Sequence, residues 1–154
     1  MTDIILFAHP TFGVLGILSA LWVFVEVLNA SESNRVRIRR AALIVPLFMV
    51  LAWGLGGYWY ITHYSVDKAL ILNGPWPFAH DLFMETKEHL FFIPAILALF
   101  LPIVAAANLA ANKGARTMVL VVAALIVVNG LAIEGAGIVI DHGAKLSLMQ
   151  WRAK

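Results

Sequence analysis

Four histidines carry most of the chemistry this sequence can offer: His9, His63, His89 and His142. His9 and His89 stand where long apolar runs begin, and His63 and His142 stand where such runs close. Imidazole ligates heme iron, non-heme iron and copper, and it titrates near neutral pH. The spacing repeats, 54 residues from 9 to 63 and 53 from 89 to 142, with a basic connection inside each pair. One helical hairpin used twice would give this pattern, and parallel duplication places sites at the repeat interface. Aligning His63 with His142 also aligns Gly56 with Gly135. A plain excess of polar residues on one side of the membrane would gather the histidines there without any site.

Residues seven apart share a helix face, so Gly16 lies below His9, Gly56 below His63 and Gly135 below His142, with Gly13 on the way from His9 to Gly16. Such glycines either let helices close up or leave a slot for a flat ligand. The stretch HDLFMETKEHLFF, residues 80 to 92, adds Asp81, Glu85 and Glu88 ahead of the third apolar run. Glu85 and His89 are one helical turn apart and project from one side. Glu85, Glu88 and Asp141 are thus candidate metal ligands, or carboxylates that orient a ligating imidazole. The competing role for Glu85 and Glu88 is to complement the positive start of a helix. Lys87 is read as a solvated or headgroup-facing charge, and His80 as a surface or loop-bracing residue. Glu134 lies inside an apolar run, two turns from Asp141 on one face, and the pair could relay protons inward. An ionisable residue within a bilayer is a functional candidate by default. Glu26, near the end of the first run, is read as snorkelling to the interface.

The elements that position these residues follow from composition. The chain has 154 residues, 62% of them hydrophobic and 13% charged, with a mean hydropathy of +0.88. That balance places it among membrane proteins. A net charge of +2, concentrated in one connection, leaves no footprint for nucleic acid. With no cysteine there is no disulfide, thiolate metal site, iron–sulfur cluster or thioether-linked heme. The start, MTDIILFAHP, lacks the basic segment and cleavage site of a signal peptide, so the first run is expected to be a retained span.

Apolar runs of spanning length cover about 4–28, 41–62, 89–111 and 117–140. The expected fold is all-α, a single four-helix transmembrane bundle over residues 1–154 built from two repeated hairpins, with an outer loop over 63–88. Arg35, Arg37, Arg39 and Arg40 in one connection, and Lys113 and Arg116 in another, face the cytoplasm by the positive-inside rule. Both termini then lie outside. The tail GAKLSLMQWRAK reads as a short interfacial segment anchored by Trp151. The expected location is a bacterial inner membrane, with the histidines on the periplasmic side.

In architecture the chain resembles four-helix membrane cytochromes in general, and no motif ties it to a particular family. The first functional expectation is a b-type cytochrome, with noncovalent heme b held near the outer face by two of His9, His63, His89 and His142. Gly16, Gly56 and Gly135 would make room for the porphyrin. His9 with His89 and His63 with His142 are the diagonal pairs. The second is a compact non-heme iron or copper site, built from the same histidines with Glu85, Glu88 or Asp141. The third is a structural subunit of a larger electron-transfer complex. The expected partners are the lipid bilayer and a redox protein or complex, with quinone as an open candidate.

Overall fold

The computed structural model describes residues 2–153, and all of its regular structure is helical. The helices are α1 (Thr2–Leu28), α2 (Arg35–Thr62), α3 (Tyr64–Leu72), α4 (Glu85–Leu90), α5 (Phe92–Ala105) and α6 (Lys113–Arg152), with a π-helical turn over Ala79–Met84. Four stretches are long and apolar enough to cross a membrane: 4–28, 35–62, 79–105 and 113–152. Helices suit that role because each satisfies its backbone groups internally where no water can.

The four long stretches form a ring. α1 packs on α2 and α6, and α5 packs on α6 and α2, while the two diagonals make no close backbone approach among the described residues. The core interleaves branched residues, among them Val23, Ile38, Val45, Leu101 and Ile126, with Ala20, Ala41, Ala98 and Ala123. Small residues let helix backbones approach, as membrane interfaces require. Large apolar side chains such as Phe7, Ile61, Ile96 and Val128 point outward instead. That is the arrangement expected of a surface that meets lipid.

The arginine-rich end is tied by its own chemistry. Arg39 donates to the Ala106 carbonyl and Arg116 to the Leu28 carbonyl, so each cation meets an unpaired acceptor at or just past a helix C-terminus. Glu26 does not merely reach for the interface: it pairs with Arg37 at 2.7 Å and accepts from Asn34 at 3.1 Å, bracing the first turn. Asn112 caps α6 by accepting from the Ala115 amide at 2.9 Å, which fixes where the last span begins.

The opposite end departs most from expectation. Residues 63–88, expected as an outer loop, fold as a helical cap: α3 packs on α2 and α6, and the π-helical turn packs on α6. A second small core of Tyr64, Ile71, Ala79, Met84 and Ile140 holds it down. The tail is likewise no separate interfacial segment, because α6 runs unbroken for 40 residues, about 60 Å at 1.5 Å per residue. Hydrocarbon accounts for only about half of that. The rest is the surface on which the cap sits, with Gly143 and Ser147 buried beneath it. The third span correspondingly starts at 79 and stops at 105. Its break at Phe91 has a local cause, since Pro94 brings no amide hydrogen and its ring clashes with the carbonyl of Leu90.

Candidate functional site

The capped end draws ionisable side chains from three helices toward one region. His9, on the first turns of α1, donates from Nδ1 to the Ala52 carbonyl of α2 at 2.7 Å. That bond fixes the tautomer and leaves Nε2 as the acceptor. The ring lies over Gly56, where a Cβ would come within 2.5 Å of Cε1. One turn deeper, the Glu134 carboxylate of α6 occupies the space that a side chain at Gly13 would need. Lys87 of α4 reaches toward α6 in the same way, its Nζ 3.2 Å from the Cβ position of Gly137. Lys87 interacts electrostatically with both Glu134 and His9. Three glycines therefore admit three polar side chains of neighbouring helices.

Above this cluster the cap contains a second polar group. His80 is only 3% exposed, the most buried histidine of the chain, and its Nδ1 lies 3.0 Å from the Tyr64 hydroxyl. Glu85 Oε1 stands 3.6 Å from Nε2. The expectation of a surface position for His80 is corrected here, although it does brace the cap. The reason is the widened π-helical turn, in which the Glu85 amide bonds back to the His80 carbonyl and the ring turns under α3. Such turns recur at functional sites.

The other expected site residues are not brought together. His89 is exposed and donates to the Glu85 carbonyl of its own segment at 2.6 Å, and His142 is exposed and donates to the Ile138 carbonyl at 2.9 Å. His63 is half-buried, 2.5 Å from the Thr62 hydroxyl and tilted against Tyr58. His63 and His89 therefore do not both turn into the bundle. Asp141 pairs with Lys145 at 2.6 Å on the surface, away from a direct link to Glu134. Among the described residues no group of three or more histidines and acids is placed to hold a metal ion. The glycines do not form a flat slot either. Gly56 is covered by His9, Gly16 faces the flexible end of Met49, and Gly135 faces open space. Close packing between helices is the role of Gly56 and Gly16, and Gly135 packs against no neighbour among the described residues.

Lys87 and Tyr64 are the residues that sequence reasoning missed. A signal for Lys87 was present: Met84, Lys87, Phe91, Pro94, Ala98, Leu101 and Ala105 follow alternating steps of three and four, the inward register of a helix. Tyr64 had no such signal, because its burial depends on how the cap folds back. Comparison with protein-family models, with curated proteins and with solved structures finds no match for this chain.

Proposed function

We propose that the chain is a membrane-embedded proton-handling subunit, in which Glu134, Lys87 and His9 form a protonation site inside a four-helix bundle. The observation that carries this reading is their convergence from α6, α4 and α1 over Gly13, Gly137 and Gly56. Ionisable groups within a bilayer are costly to keep, and they mark proton and ion paths where they occur together. The charge of Lys87 lowers the cost of the half-buried Glu134 carboxylate, and His9, with Nδ1 held by the Ala52 carbonyl, offers Nε2 as a proton acceptor nearby. The positive-inside rule favours a cytoplasmic position for the arginine-rich turns, which supports assigning the capped end, and the site with it, to the outer side of a bacterial inner membrane. A larger redox or ion-translocating complex is the partner that such a subunit would serve.

A b-type cytochrome is the weaker reading. Each of His9, His63, His89 and His142 makes its hydrogen bond through Nδ1 and keeps Nε2 free for iron, so the point against heme is that His89 and His142 lie exposed on the bundle surface rather than turned into it. An infrared pH titration of the protein in lipid tests the proposal. A carboxyl band that appears on acidification and disappears in Glu134→Gln supports it; a spectrum that the substitution leaves unchanged over the whole titration overturns it.

A further inference from the structure

Tyr64, His80 and Glu85 make a continuous polar line inside the cap, separate from the cluster below. Glu85 is half-exposed, its side chain at 48%, at the capped end of the third span. His80 and Tyr64 are buried, at 3% and 2%. A buried imidazole with a carboxylate on one nitrogen and a phenol on the other can pass a proton through its ring. Tyr64 stacks on Tyr60 with ring centres 5.2 Å apart and tilts against Trp59 at 5.8 Å, which holds its hydroxyl in place. Burial, followed by Tyr60 and the acids Glu88, Asp67 and Glu85, pushes the Tyr64 phenol above its ordinary value. The phenol thus keeps its proton near neutral pH and acts as a neutral carrier.

The next acid near this line is Glu88, the residue after Lys87. Glu88 lies against the Tyr60 phenol and within electrostatic range of Tyr64. Its Oε1 is buried with no hydrogen-bond partner among the described residues. A buried carboxylate oxygen without a partner is costly, and a proton or an ordered water removes that cost. Glu88 thus neighbours Tyr60, which stacks on Tyr64, and directly follows Lys87 in the chain, and its unpartnered oxygen is ready to accept a proton.

We propose that Glu85, His80 and Tyr64 are the proton entry line from outside water to Glu88 and the Glu134 site. The proposal rests on the reading of that site as a protonation site. A proton on Glu85 passes to Nε2 of His80, the Nδ1 proton passes to the Tyr64 oxygen, and the phenol releases its own proton to the Glu88 carboxylate, directly or through one water. Glu85 ends as the carboxylate and Glu88 as the acid. His80 ends neutral with its proton moved from Nδ1 to Nε2, and Tyr64 is unchanged. No electron is transferred.

The test uses the full chain in liposomes and a rapid pH jump, with the Glu134 carboxyl band followed in time. Tyr64→Phe removes the hydroxyl and keeps the ring stack, so it should fold, and thermal melting checks that it does. His80→Gln interrupts the same line one step earlier. Each variant should reach the wild-type final protonation level with a rate at least tenfold lower, an outcome that mere loosening of the cap would not give. Wild-type rates in a folded Tyr64→Phe variant overturn the entry line and leave the protonation site standing. Absence of any Glu134 band in the wild-type protein overturns both.

Discussion

Gly56→Ala is the sharpest probe of how the polar site is held. The new methyl would lie 2.5 Å from Cε1 and 2.6 Å from Nδ1 of His9, far inside contact distance. The imidazole has to move, and the 2.7 Å bond to the Ala52 carbonyl breaks with it. Overpacking costs about 1 to 3 kcal/mol, the lost hydrogen bond about 0.5 to 1.5, and the better helix propensity of alanine returns about 1, which leaves a net loss of roughly 0.5 to 3.5 kcal/mol. Gly135→Ala is the control, because nothing among the described residues lies within 4 Å of its added Cβ. There the propensity gain stands alone and the protein should become more stable, by about 0.5 to 1 kcal/mol. Thermal unfolding in the same detergent measures both, and a nitrogen NMR spectrum of labelled histidine reports whether Nδ1 of His9 loses its acceptor. Equal stabilities for the two variants, with the His9 signal unmoved, would refute the packing argument.

Asp67, on α3 outside the spans, has its carboxyl pushed up by burial and then by Asp141. The folded state therefore binds its proton more tightly than the unfolded state, and stability falls as pH rises from the ordinary aspartate range through the raised value. Asp67→Asn should raise the melting temperature at neutral pH, with the advantage fading on acidification; a pH-independent difference would contradict this. Gly143→Leu should undock the cap, since even a Cβ there comes within 2.7 Å of the Ala79 methyl, at a cost of about 1 to 3 kcal/mol. Hydrogen exchange over residues 64–84 would show the loosening, and unchanged protection would count against the cap. Dithionite reduction of the purified protein should give no sharp heme bands, and chelation should leave the melting temperature unchanged. Stoichiometric heme lost in His9→Ala would restore the cytochrome reading.

Much of the architecture is legible in the sequence. The four apolar runs, the basic turns and the gathering of polar residues at one end all follow from hydropathy and charge, because a bilayer allows few other solutions. The cap does not. Residues 63–88 mix aromatic, acidic and basic side chains without a spanning run, and they acquire a core only by folding onto the far end of α6. Gly143 and Ser147 make that docking possible, yet in sequence they sit in a tail that reads as interfacial. The histidines misled for a related reason. Their near-equal spacing fixes neither depth nor direction: His9 meets Ala52 and Gly56, well short of His63 along α2, while the exposed His89 and His142 turn back onto their own helices. Glycine spacing was equally ambiguous, since a gap beneath one residue is the seat of another from the next helix.

The central claim is that a half-buried acid at the capped end, Glu134, exchanges protons with that end alone. The direct measurement places the protein in one orientation in liposomes, changes the pH on a single side, and follows the infrared band that Glu134→Gln removes. The account predicts a response when the capped side is acidified and none, within the lifetime of the gradient, when the arginine-rich side is. A band that answers only to the arginine-rich side, or to neither, would contradict it.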